Sequence, residues 1–143
     1  MSAYRRILAA IDLTEDSRAV ANRACELARA SDGTVQLLHV VEFVPIEPMS
    51  DSLVPGVQID EQMLARARQQ IEALARELGL SPEAGSVEVG NAKSAILRQA
   101  RQHNCDLIVI GGRERHGLSI LLHRTEDSVL HGAPCDVLAV RVR

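Results

Sequence analysis

The chain has 143 residues, 19 acidic and 16 basic side chains, and a formal net charge of −3. That length predicts a single domain over residues 1–143, large enough to bury roughly 68–70% of its unfolded surface. One Phe, one Tyr, no Trp and no Lys/Arg block exclude aromatic stacking platforms and a basic footprint for nucleic acid.

Strand and helix patterns alternate along the chain. Ile7-Leu8-Ala9-Ala10-Ile11 is a continuous apolar run, as expected of a strand covered on both faces. Asp12-Leu13-Thr14 turns into a helix running to about Ala30, with Val20, Ala24, Leu27 and Ala28 on one stripe. Asp32-Gly33 ends it, and Thr34 to Val41 reads as the second strand. Residues 42–59 carry Pro45, Pro48 and Pro55 and predict a long irregular connection. From Asp60 a second helix is predicted to about Leu78, with Leu64, Ala67, Ile71, Leu74 and Leu78 inward and Gly79 as its stop. Ser86 to Val89 reads as a short third strand closed by Gly90. Asn91 is a good N-cap for a helix to about His103, with Ile96, Leu97 and Ala100 inward. Asp106 to Ile110 is the fourth strand, Ser119 to Leu130 a fourth helix, and Asp136 to Val142 the fifth strand.

Five strands separated by four helices imply right-handed crossovers, a mostly parallel open α/β sheet and helices on both faces. No apolar run reaches the roughly 18 residues of a membrane span. Met1 to Arg6 shows no signal-peptide pattern. The expectation is a cytoplasmic protein with no membrane partner and no nucleic-acid partner. Cys25, Cys105 and Cys135 are odd in number, widely spaced and form no Cys-x-x-Cys pair. They read as small hydrophobes, with no zinc site or disulfide framework suggested.

Ligands of such sheets sit at the carboxyl ends of the strands, where strand order reverses. The residues predicted there are Asp12 to Thr14, Val40 to Glu42, Gly90-Asn91, and the run Gly111-Gly112-Arg113-Glu114-Arg115-His116-Gly117. Glycines between a strand and a helix let backbone amides approach a phosphate. Asp12 could accept hydrogen bonds from a ribose or an adenine, or could instead satisfy free amides at the start of its helix. Enzyme signatures are missing: no Gly-x-Ser-x-Gly elbow and no P-loop lysine occur, and Ser17 and Ser119 have no evident base. His116, His123 and His131 are seven and eight residues apart. At ~1.5 Å per helical residue the gaps are about 10 Å or more, too wide for one ion. His123 and Asp127 read as solvated helix-face residues and His39 as packed within its strand. No metal site is expected, and the chain is read as non-enzymatic.

Several runs, taken together, resemble the universal stress protein family. They are Ile7 to Ser17, Leu37-Leu38-His39-Val40, Gly90 before the third helix, Asp106 to Gly111, and Ala133-Pro134-Cys135-Asp136-Val137-Leu138. The resemblance covers nearly the whole chain. It implies a Rossmann-like sheet of the adenine nucleotide alpha hydrolase type, order 3-2-1-4-5, and a homodimer paired through the last strand, residues 136–142. ATP-binding members carry Gly, two residues, Gly, nine residues, Gly, then Ser or Thr. Laid on this chain, the pattern meets Gly111, Glu114, Arg124 and Thr125. Two of the three glycines are replaced. A side chain at 114 hinders backbone approach, and its carboxylate repels phosphate oxygens. Arg113, Arg115 and Arg124 nonetheless leave the loop electropositive. The chain is similar to the A-type members, considered not to bind ATP, so no cofactor is expected. The alternative is an ATP or adenine-nucleotide sensor using Asp12, Val40, Gly111, Arg113 and Thr125.

Overall fold

The computed structural model describes residues 4–15, 17–42, 61–112 and 129–141. Within them lie β1 (Arg6–Ala10), α1 (Ser17–Ala30), β2 (Thr34–Glu42), α2 (Glu61–Glu77), a 3₁₀ turn (Pro82–Ala84), β3 (Gly85–Gly90), α3 (Ala92–Gln102), β4 (Leu107–Gly112) and β5 (Asp136–Arg141). The strands form one sheet in the order β3-β2-β1-β4-β5, and every pairing is parallel. The predicted fold class and strand order are therefore found.

Parallel strands need covered faces, and the apolar residues divide accordingly. Ile7, Ala9, Val35, Leu37, Leu107 and Val109 meet Val20 and Ala24 of α1 and Ile71 and Leu74 of α2. Leu8, Leu38, Ile108 and Ile110 face the other way, onto Ile96, Leu97 and Ala100 of α3 and onto Val129. Each fully buried Leu or Ile adds about 1.5–3 kcal/mol, so both layers carry much of the stability. Helices thus cover both faces. Residues 129–132 are helical; the rest of the predicted fourth helix, like most of the 42–59 connection, lies outside the described residues.

The boundaries shift by small steps. β1 begins at Arg6 and stops at Ala10, one residue earlier than the apolar run, because Arg6 already pairs with Thr34. β4 runs on through Gly111 and Gly112, which pair with Val140 and Arg141 of β5. The first two glycines of the predicted loop are therefore strand residues. Gly33 stands where α1 returns beneath β1: a Cβ there would lie 2.7 Å from the Tyr4 carbonyl oxygen and 2.8 Å from Arg5 Cα. The 3₁₀ turn, unforeseen, is capped by Ser81, whose hydroxyl accepts from the Glu83 amide at 3.3 Å.

Candidate functional site

The strand order reverses between β1 and β4, which makes the carboxyl edge there the natural crevice. β1 and β4 pair only as far as Ala9 and Val109, while β4 continues to Gly112. Beyond that point the chain leaves β1 through Ile11, Asp12 and Leu13. Ile11 still donates its amide to the Leu38 carbonyl at 2.8 Å. Its own carbonyl is held by His39 Nδ1 at 2.7 Å. A carbonyl can only accept, so Nδ1 carries a proton in this contact. His39, read from the sequence as packed, is half-buried and pins the backbone immediately before Asp12.

The Asp12 turn is tight and locally closed. Asp12 Oδ1 accepts from the Thr14 amide at 3.0 Å and from Thr14 Oγ1 at 2.7 Å. Leu13 between them has φ 61°, a left-handed conformation that costs a branched side chain about 1–3 kcal/mol. Leu13 nonetheless packs against the α1–α2 core layer, which helps to hold it there. The Thr14 carbonyl then accepts from the Ser17 amide at 3.0 Å and from Ser17 Oγ at 2.5 Å. Ser17 is 5% exposed and serves as a link in the first turn of α1.

Val40 and Gly111 lie on opposite sides of β1, so the fold brings Asp12, Val40 and Gly111 to one edge. Val40 is partly buried on the α3 face and pairs with Glu88 of β3. Gly111 pairs with Val140. Gly90 ends β3 at φ 143°, a conformation that favours glycine, and opposes Glu42. Asn91 then caps α3, its side-chain oxygen accepting from the Ser94 amide at 3.0 Å. Arg113, Glu114, Arg124 and Thr125 lie outside the described residues, as do His116, Ser119, His123 and Asp127.

One side-chain group was missed by sequence reasoning. Glu88, its side chain 23% exposed, forms an ion pair with Arg98 and accepts from Gln99 Nε2 at 2.6 Å. This carboxylate beside Val40 ties the edge strand β3 to α3. The available signal was a lone acid alternating with Val87 and Val89 in a strand covered by a helix. Among the described residues, no group of three or more His, Cys, Asp or Glu side chains is arranged to hold a metal, and no helix is long and apolar enough to cross a membrane. Two cavities lie at the opposite, amino end of the sheet. One of about 560 Å³ is lined by Cys25, Arg29, Gln36, Leu80 and Glu83. One of about 270 Å³ is lined by Arg6, Gln36, Gln102, His103 and Cys105. Neither borders the Asp12 crevice.

A parallel sheet in the order β3-β2-β1-β4-β5, with its reversal beside Asp12, defines an open α/β protein with a crevice at that point. The chain belongs to the universal stress protein family, whose model matches residues 3–141. It is 38% identical over 144 residues to universal stress protein A homolog 2 of Coxiella burnetii, covering 100% of this chain and 99% of that protein. Its structure is similar to a universal stress protein of Pseudomonas aeruginosa, with 25% identity and a TM-score of 0.72, covering 96% of this chain and 48% of that one. It is also similar to a universal stress protein in complex with cAMP, with 20% identity and a TM-score of 0.64, covering 97% and 98%.

Proposed function

We propose that this protein is a non-enzymatic, dimeric universal stress protein of the cytoplasm, serving the general stress response through protein contacts and holding no ATP. One observation carries this reading: Glu114 and Arg124 stand where the family's ATP-binding pattern has glycine. A phosphate cradle works through backbone amides that a ligand can reach closely, and side chains at those two positions obstruct that approach. The described part of the crevice supports the same reading. Asp12 spends one oxygen on its own turn, accepting twice from Thr14, and Ser17 donates to a backbone carbonyl. With two of the three glycines of the phosphate pattern replaced, the loop lacks the backbone approach that an ATP triphosphate needs.

The second reading is an adenine-nucleotide sensor using Asp12, Val40, Gly111, Arg113 and Thr125. It is favoured by the crevice position of Asp12, Val40 and Gly111 and by the cAMP complex of a structural relative. Restoring both glycines, as Glu114→Gly with Arg124→Gly, separates the two. If the missing cradle is the reason for the lack of binding, the double variant gains ATP affinity at least tenfold by calorimetry. No gain would remove that reason.

The dimer rests on the resemblance and on β5, which is the last strand of the sheet. Its outer backbone edge needs water, cover or a second copy. Residues 136–142 of two subunits pairing edge to edge would supply the last. Light scattering at micromolar concentration should give twice the chain mass; a monomer contradicts the dimer.

A further inference from the structure

The cysteines carry a second possibility that their spacing conceals. Cys105 and Cys135 are 30 positions apart in the sequence, but β4 and β5 are neighbours and their paired run begins at Leu107 and Asp136. Cys135 immediately precedes that run, and Cys105 lies two residues before it. Both cysteines stand just before the strands; the ladder, continued back to them at a spacing of about 4.8 Å and a rise of about 3.3 Å per residue, would set a one-step diagonal near 6 Å between Cα atoms. That lies inside the roughly 4.4–6.8 Å range of disulfides. Both side chains join the same apolar layer, under α3. They are close enough for a charge on Cys135 to raise the Cys105 thiol further, beyond what burial does. Cys25 belongs to the other layer, under α1, across the sheet. The topology therefore selects one pair out of three.

We propose that Cys105 and Cys135 are a reversible dithiol–disulfide site, oxidised by exchange with small-molecule disulfides such as oxidised glutathione. Burial raises both thiols, so the thiolate that exchange needs is scarce at neutral pH and the reaction runs faster as pH rises. Exchange assigns the roles by access. Cys135 is half-buried and Cys105 buried. Cys135 loses its proton and attacks one sulfur of the reagent, whose S–S bond breaks; one thiol leaves with the electron pair and takes up a proton. Cys105 then loses its proton and attacks the Cys135 sulfur of the mixed disulfide, whose S–S bond breaks; the second thiol leaves with that electron pair and takes up a proton. Two protein thiols are oxidised and one reagent disulfide is reduced to two thiols. The product links the chain just before β4 to the chain just before β5. The site is independent of whether a nucleotide binds.

The test uses the full chain with Cys25→Ser, folded, in glutathione buffers of graded redox poise. The expected result is a species lighter by two hydrogen atoms, a peptide map joining Cys105 to Cys135, a raised unfolding temperature, and full reversal by dithiothreitol. Cys105→Ser in the same background should stop at a glutathione adduct on Cys135. The proposal is overturned if both thiols stay open to alkylation at a poise that oxidises the urea-unfolded chain. A folded chain that halts at a single adduct, or a link between two chains in place of the internal one, overturns it equally.

Discussion

Gly33 shows how one missing side chain sets the angle between two elements. The turn after α1 brings its backbone against Tyr4 and Arg5, within 2.8 Å of where a Cβ would stand. Those neighbours are backbone atoms, already committed: the Arg5 carbonyl accepts from the Thr34 amide at 2.8 Å, and the Arg5 and Arg6 amides donate to the two oxygens of Asp106 at 2.9 and 3.1 Å. They cannot step aside cheaply. Gly33→Ala is expected to cost about 1–3 kcal/mol, read as a lower urea midpoint with an unchanged slope. At the same end of the sheet the thiols set an alkaline limit. Burial, then the charges of Cys135 and Asp106, push Cys105 from 9.0 to about 11, with Arg6 offsetting part. The folded state therefore holds this proton more tightly than the unfolded state does. Its contribution is complete below about pH 9 and is lost as pH rises through about 11. Burial raises Cys25 and Cys135 as well, and the hydrogen bond to Asp136 raises Tyr4, so all four act in one direction. The reduced protein should lose melting temperature steadily from pH 9 to 11, and Cys105→Ala should flatten that slope. A flat profile in the parent would contradict the assignment.

At the scale of elements, α3 shows which signals a sequence carries well. Its Asn91 cap and its inward Ile96, Leu97 and Ala100 are local facts, set by hydrogen bonding within one turn and by helical period, and all are found. Asn91→Ala should cost about 1 kcal/mol, seen as a melting shift of a few degrees with the strand signal in circular dichroism intact. What fixes α3 sideways is not local. Glu88 reaches Arg98 and Gln99 from a strand ten residues earlier, and nothing in a helical or strand period selects that contact. The end of β4 failed to read for a similar reason. Gly111-Gly112 has the composition of a loop, and only the presence of Val140 and Arg141 alongside makes it strand. The Asp12 turn was half legible: an acid before a helix is a cap signal, whereas the left-handed Leu13 and the His39 bond to the Ile11 carbonyl depend on β2 lying against β1.

For the whole molecule, the alternation of apolar runs and helical stripes was enough for a parallel sheet covered on both faces, while the strand order came from the family resemblance. The same topology gathers Asp12, Val40 and Gly111 from three separate stretches onto one edge, and brings Cys105 beside Cys135 at the other. The first juxtaposition follows from the strand ends read along the sequence; the second is not visible in the cysteine spacing. The functional account turns on whether that first edge is a working nucleotide site or one whose phosphate cradle has been filled by Glu114 and Arg124. Titrating the unmodified, nucleotide-stripped protein with ATP and Mg²⁺ in a calorimeter tests this most directly. The account predicts no saturable heat, or a Kd well above 10 μM; a Kd tighter than about 10 μM, near −7 kcal/mol, would contradict it.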